Sequence, residues 1–210
     1  MTASPPPDSP AQPAQPVQLP GSARAHAVMR LLGWRVRFDG LPARQGVLIV
    51  YPHTSNWDFP FAILTKWAIG MDVTFWGKDT LFRLPLFGRW LRWIGGVPVD
   101  RGSANGIVGQ MARELEAARA EDRFLWLALS PEGTRGYTDA WRSGFYHVAV
   151  QAQVPVGLAF VDYERREAGV ERFLSLSGDP VTDLAEIERL FNQPVGKHPA
   201  LAAPIRFKTT

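Results

Sequence analysis

The clearest feature of the chain is a set of short apolar runs separated by segments with helical spacing. Val47-Leu48-Ile49-Val50-Tyr51 has no polar break and is too short for a buried helix, which predicts a strand over residues 46–51 covered on both faces. Val73-Thr74-Phe75-Trp76, Phe124 to Leu129 and Val154 to Phe160 read the same way, and Val97-Pro98-Val99 as a shorter strand. Trp34 to Phe38 alternates apolar and basic residues, as a half-exposed edge strand does. Between the strands, apolar positions recur at helical spacing. A helix over 57–69 would turn Phe61, Leu64, Trp67 and Ala68 inward; one capped by Ser103 would use Ile107, Val108, Met111, Leu115 and Ala118. Residues 145–152 form another. A last helix over 182–192, capped by Thr182, buries Leu184, Ile187 and Phe191. Near the start, Ser22 caps a short helix with Ala27, Val28, Leu31 and Leu32 on one side, ended by Gly33. Residues 161–166 and 170–176 suggest a hairpin bending at Ala168-Gly169. Strands alternating with helices predict an α/β fold: a mixed, largely parallel sheet flanked by helices, in a single domain with its chemistry on loops at strand ends.

Composition narrows this picture. The first 21 residues are rich in Pro, Ala, Gln and Ser and cannot bury enough apolar surface to order themselves, so they read as a disordered leader before a domain over 22–210. The remaining 189 positions suffice for one core, and 46% apolar residues is ordinary. The chain has no cysteine, which excludes disulfides, thiol nucleophiles and thiolate metal sites. No apolar run reaches the roughly 20 residues of a spanning helix, and no signal-peptide segment leads the chain. The expected location is the cytoplasmic side. Eight tryptophans, twelve phenylalanines and a net charge of +3 suit the headgroup region of an anionic membrane. From Lys66 to Arg101 six basic residues face three acidic ones, and Leu81 to Ile94 interleaves arginines with large apolar side chains. That stretch reads either as a core helix with a solvated basic face or as a segment lying on a bilayer. No nucleic-acid recognition motif accompanies the basic residues.

The candidate chemistry sits behind the strands. His53-Thr54-Ser55-Asn56-Trp57-Asp58 follows the strand at 46–51, where a strand gives way to a helix. A His and an Asp at this separation can meet around a tight turn, the carboxylate fixing the imidazole tautomer and supporting the imidazolium once His53 takes a proton. Ser55-x-x-Asp58 also has the form of a capping box, with both side chains serving only helix N–H groups. The strand at 124–129 delivers Ser130-Pro131-Glu132-Gly133-Thr134-Arg135-Gly136, and Val99 leads to Asp100-Arg101. No His, Asp and Glu cluster has metal-ligand spacing, so no cofactor is expected.

In this order and with these gaps, the His53-x4-Asp58, Val97-Pro98-Val99-Asp100-Arg101, Pro131-Glu132-Gly133-Thr134-Arg135 and Val154-Pro155-Val156 blocks resemble the four motifs of the glycerolipid acyltransferases, whose familiar members acylate 1-acylglycerol 3-phosphate. The resemblance spans roughly residues 22–163, with the motif-bearing part at 46–163. Lys78-Asp79-x-Leu81-Phe82 and Trp141-x-x-Gly144-Phe145-Tyr146 resemble further family stretches. The resemblance implies His53 as general base with Asp58 orienting it, and direct transfer from acyl-CoA or acyl carrier protein to a lysophospholipid hydroxyl. It implies Arg101 and Arg135 on the acceptor phosphate, with Lys78 a weaker addition, and Glu132 ordering the pocket or binding an acceptor hydroxyl. Thr134 belongs to the same substrate-binding motif, and backbone N–H groups near Gly133 would meet the oxyanion. His147 is expected to be a packed residue. Gly157 stands where the family's fourth motif would lead to a proline, and Ser130 replaces the commoner aromatic, which leaves acceptor and chain length open. Without the long apolar anchor of many members, the enzyme is expected to sit peripherally on the inner membrane. The competing readings are an acyltransferase for a lyso-aminolipid and a lipid-binding protein without activity.

Overall fold

The computed structural model describes residues 17–99 and 104–208. Residues 1–16 of the leader, Arg101 and the Ser103 cap lie outside the described residues. The strands are β1 (Arg35–Arg37), β2 (Gln45–Val50), β3 (Val73–Lys78), β4 (Gly96–Val99), β5 (Leu125–Leu129), β6 (Val156–Asp162) and β7 (Glu167–Leu174). The helices are α1 (Ala23–Leu31), α2 (Asp58–Ile69), α3 (Asp79–Phe82), α4 (Pro85–Trp93), α5 (Ala104–Ala120), α6 (Gly144–Ala152) and α7 (Pro180–Leu190). The strands form one seven-stranded sheet in the order β1-β7-β6-β2-β5-β3-β4. Every neighbouring pair is parallel except β6 and β7. This is the mixed, largely parallel α/β sheet the alternation of elements predicts.

Because successive side chains of a strand point to opposite faces, β2 feeds two cores. Val47 and Ile49 pack with Leu115 of α5 and with Phe145 and Val148 of α6. Leu48 packs on the other face with Trp126, Ile69 and Met71. Both faces of β2 are therefore closed, and only its ends reach solvent. Parallel order places the C-terminal ends of β6, β2 and β5 side by side: Ile49 pairs with Leu129 and Val50 with Ala159. Three consecutive strands thus deliver their following loops to the same edge, the arrangement in which open α/β sheets carry their sites.

Several local expectations are corrected. The hairpin bend lies at Tyr163 to Arg166, not at Ala168-Gly169, which are paired within β7. Asp162 makes that turn: its Oδ1 accepts the N–H groups of Glu164 (2.9 Å) and Arg165 (2.8 Å), and Arg166 takes φ +52°. Gly169 is needed for close approach, since a Cβ there would stand 1.9 Å from the carbonyl oxygen of Arg37 on β1. Asp179, not Thr182, caps α7, accepting from the N–H groups of Val181 and Thr182, with Pro180 in the first turn. Ser22 does cap α1, but the helix is rotated from expectation. Ala25 and Met29 are the buried residues, whereas Ala27, Val28, Leu31 and Leu32 face solvent. On α2, Ala68 is buried as expected, but Trp67 is exposed and Ile63 and Ile69 take the inner positions. The folded part reaches back to Val17, which pairs with Leu41 in an antiparallel bridge.

Candidate active site

The loop from Tyr51 to Trp57 joins the end of β2 to the start of α2, with the Tyr51–Pro52 peptide cis. Asp58 is the first residue of α2, yet its side chain turns back over the loop. Its Oδ2 lies 3.1 Å from Nδ1 of His53 and accepts the backbone N–H groups of Thr54 and Ser55, each at 2.9 Å. The capping geometry and the His–Asp pair are therefore one structure: the carboxylate that satisfies the loop also holds the ring. The other oxygen, Oδ1, accepts from the hydroxyl of Tyr163 at 2.9 Å. Burial pushes the Asp58 carboxyl upward, but hydrogen bonds from His53, the Ser55 N–H and Tyr163 outweigh it and hold the group below its ordinary 3.8. Asp58 is thus an anion with only 2% of its surface exposed. Tyr163 is shifted the other way, far above its usual value by burial and then by the Asp58 charge, so it stays protonated and donates.

With Nδ1 fixed on Asp58, the opposite ring nitrogen of His53 faces away from the carboxylate, and the side chain keeps 23% exposure. An imidazole so held can take a proton at Nε2 while the anion behind it supports the charge.

Glu132 fixes the backbone of the same loop. Ser130 to Gly133 follows β5 beside the His53 loop, and Glu132 Oε2 accepts the His53 N–H at 2.6 Å. Oε1 accepts the Ala203 N–H at 3.0 Å, and the residue is 3% exposed. Burial raises the Glu132 carboxyl above its ordinary 4.5, although the two N–H donors and the His53 ring act against the shift. Tyr51 completes the link, donating to the Ala203 carbonyl at 2.9 Å; burial and the charges of Glu132 and Glu188 push its hydroxyl up to about 12. Of the two roles expected for Glu132, the geometry supplies the ordering one: each carboxylate oxygen already accepts a backbone donor. Among the described residues no arginine pairs with it.

The other predicted residues lie farther out. Thr134 and Arg135 are exposed on the loop after Gly133, and the Thr134 hydroxyl accepts from the Gly136 N–H at 3.2 Å. Lys78 ends β3, which β5 separates from β2, and is exposed. Gly133 has φ +67°, and its own N–H donates to the Ser130 carbonyl at 3.2 Å, so that amide closes a turn. His147, expected to be packed, is exposed on α6, its ring edge-on to that of Tyr146 with 6.0 Å between centroids.

Four features of this edge escape sequence reasoning. Tyr163 stands 105 residues from the Asp58 it touches, and no local pattern connects them. Arg142 packs against Gly133, where a Cβ would meet its Nε at 2.6 Å, and its N–H donates to the Pro131 carbonyl at 2.8 Å. Trp141-x-x-Gly144 directed attention to its neighbours but not to it. Residues 194–203, beyond the last expected helix, pack against the loop. The His198 N–H donates to Thr54 Oγ1 at 3.2 Å, and the Tyr163 N–H to the Val195 carbonyl at 2.9 Å. Finally, the Lys197 ammonium sits 5.1 Å from the ring centroid of Trp57, a half-exposed indole beside Asp58.

A family model described as Acyltransferase matches residues 35–157, a stretch that holds His53, Asp58 and Glu132. The chain belongs to the acyltransferase family. It is an acyltransferase enzyme in which β2, β5 and β6 bring His53, Glu132 and Tyr163 to one sheet edge. Its fold is similar to the crystal structure of the 1-acyl-sn-glycerophosphate (LPA) acyltransferase PlsC from Thermotoga maritima, with a TM-score of 0.53 and 18% sequence identity over 79% of this chain and 73% of that one. No curated protein matches the sequence.

Tyr163 gives the first prediction. Its hydroxyl contributes to holding the Asp58 carboxyl below 3.8, so Asp58 adds stability above that pH that is lost as pH falls through the lower folded value. Tyr163→Phe raises the folded value, and the variant should unfold at a less acidic midpoint than the parent protein. As a positioning residue it should also lower kcat about tenfold or more with KM unchanged, the size of one lost hydrogen bond to a charged group. An acid midpoint and a kcat both equal to the parent's would refute this role.

Proposed function

We propose that this acyltransferase moves a fatty acyl group from an acyl thioester, acyl-CoA or acyl carrier protein, to the hydroxyl of a lysophospholipid. The acceptor that fits best is 1-acylglycerol 3-phosphate, which gives phosphatidic acid. The observation that carries the reading is the His53 ring held by a buried, ionised Asp58 at the end of β2. His53 Nε2 takes the acceptor hydroxyl's proton as the oxygen attacks the thioester carbonyl. The tetrahedral adduct then collapses: the carbon–sulfur bond breaks, and the departing thiolate receives the proton from His53. The new ester oxygen stays on the acyl carbon, so no acyl-enzyme forms, in keeping with a chain that has no cysteine.

Arg135, and Arg101 outside the described residues, are the proposed phosphate ligands, because a guanidinium matches phosphate oxygens with a fork of donors. Arg142 joins them on the strength of its place against Gly133 and its exposure. The named activity of the similar PlsC structure supports this choice of acceptor. The enzyme would act peripherally on the cytoplasmic side of the inner membrane; no helix among the described residues is long and apolar enough to cross one.

Purified protein in lipid vesicles, supplied with long-chain acyl-CoA or acyl carrier protein thioester, tests the reading by mass spectrometry of the products. Phosphatidic acid should form from lysophosphatidic acid. Arg135→Ala and Arg142→Ala should each raise its KM about tenfold or more, as expected for a charged hydrogen bond. Product from a lyso-aminolipid alone, with KM indifferent to both arginines, would overturn the acceptor assignment. Silence with every donor and acceptor would favour lipid binding without catalysis.

A further inference from the structure

A helix on the surface of a domain needs one apolar face, and α4 has two. Gly88, Leu91 and Ile94 turn inward: Leu91 and Ile94 are 4% and 2% exposed, and a Cβ on Gly88 would collide with the Phe82 backbone. That face accounts for the attachment of the helix to the sheet. Leu86, Trp90 and Trp93, spaced by four and then three residues, form a second stripe that points away from the protein. Leu86 is 83% and Trp93 74% exposed. The Phe87 ring lies tilted at 5.5 Å from that of Trp90 at the margin of the stripe, and Leu81 and Leu84 extend it at the N-terminal end. Among the described residues Leu86 and Trp93 stay largely open, while Trp90 keeps 38% of its surface exposed.

The charges beside the stripe are cationic. Arg89 and Arg92 are exposed, and α4 contains no acidic residue. Among the described residues Arg89 has no ion pair, and Arg92 lies over the Phe82 ring at 5.4 Å. The apolar surface continues past the helix. Trp93 lies 6.1 Å from exposed Trp67, and both line a groove shared with Arg24 and Val28 of α1, the helix whose expected inner face is exposed. Midway along its length the stripe meets α2. Trp90 lies 6.1 Å from Phe59, the residue after Asp58.

We propose that α4 is the membrane seat of this enzyme: it lies in the plane of an anionic bilayer, with Leu86 and Trp93 in the acyl boundary and Arg89 and Arg92 among the phosphates. Tryptophan and leucine on a protruding ridge favour the headgroup–acyl boundary, where an indole buries its ring and keeps its N–H wet. A protein partner is less well matched, since exposed arginines with no acidic residue on the helix flank the stripe, a charge pattern that suits phosphate headgroups. Arginines flanking the ridge select anionic lipid, each worth about 1 kcal/mol near such a surface, a fivefold change in binding. The proposal deepens the lysophospholipid reading, because acceptor and product are lipids of that bilayer.

The test is co-sedimentation of the full chain with phosphatidylcholine vesicles, with and without about 30% phosphatidylglycerol as the anionic lipid. Tryptophan quenching by brominated acyl chains is read in parallel. The parent protein should bind the anionic vesicles and be quenched. Leu86→Ser combined with Trp93→Ser should lower partitioning at least about tenfold. Arg89→Gln should lower it about fivefold at low salt, without affecting binding to pure phosphatidylcholine. Both substituted apolar side chains are exposed, so thermal unfolding should match the parent protein. Unchanged binding by the double variant, or no binding by the parent protein, overturns the proposal. So does a dimer, or a complex with an acidic carrier protein, that the double variant abolishes in place of vesicle binding. Vesicle binding requires no turnover, so a chain that binds but forms no product would refute the reaction and leave the seat standing.

Discussion

His53→Ala is expected to lower kcat for acyl transfer by at least ~100-fold, the size of a missing general base, while leaving the protein as stable as its parent within about 1 kcal/mol. The two halves of this expectation have separate causes. The ring makes its hydrogen bond to Asp58, whose Oδ2 still accepts from the Thr54 and Ser55 N–H groups once the imidazole is gone. The loop therefore keeps its shape. What disappears is the nitrogen proposed to accept the hydroxyl proton. Asp58→Asn should behave differently: the ring loses its anion, and the loop loses part of its N–H acceptance, so activity and stability fall together. Single-turnover rates with urea unfolding on both variants separate the two. A His53→Ala protein within tenfold of the parent's rate would remove His53 from the chemistry.

Glu132→Ala is expected to be the most destabilising of these substitutions, by about 2–4 kcal/mol, with activity lost alongside. Its two oxygens satisfy two backbone donors, His53 N–H at 2.6 Å and Ala203 N–H at 3.0 Å, in a site that is 3% exposed. Truncation strands both donors away from water and detaches the C-terminal segment from the catalytic loop. Glu132→Gln keeps an acceptor for one donor only and should lie between the parent and the alanine variant. The pH dependence has the opposite sign to that of Asp58. Burial raises the Glu132 carboxyl above 4.5, so the folded protein holds the proton to higher pH than the unfolded chain. That part of the stability is whole below 4.5 and declines as pH rises through the raised value, and Glu132→Gln should remove the decline. Urea unfolding across this range measures it. A Glu132→Ala protein as stable as the parent would show that the two N–H groups find other acceptors.

The legible parts of the site are those built from neighbouring residues. His53 and Asp58 meet within one turn, and the apolar run before them marks the strand that carries the turn. Glu132 follows another such run, and the parallel pairing of β2 with β5 brings it alongside. Other positions misled because two solutions shared one pattern. Ala27, Val28, Leu31 and Leu32 have helical spacing, yet Ala25 and Met29 are what α1 buries, since small and flexible side chains allow the close contact with α2. Trp67 falls on the inward spacing of its helix, and the fold leaves it on the surface beside Trp93. Ala168-Gly169 resembled a bend, but Gly169 serves the crowding of β7 against β1, and Asp162 makes the turn.

The sequence by itself determined the α/β alternation, the strand ends that bear chemistry, and the His–Asp pair, because each depends on periodicity or on residues a few positions apart. Only the tertiary structure decided that Tyr163 backs Asp58, that Glu132 ties the His53 loop to Ala203, and that α4 keeps a second apolar stripe in the open. These depend on strand order and on which helix face meets the sheet. Both are settled by the collective packing of distant segments, which local pattern does not encode.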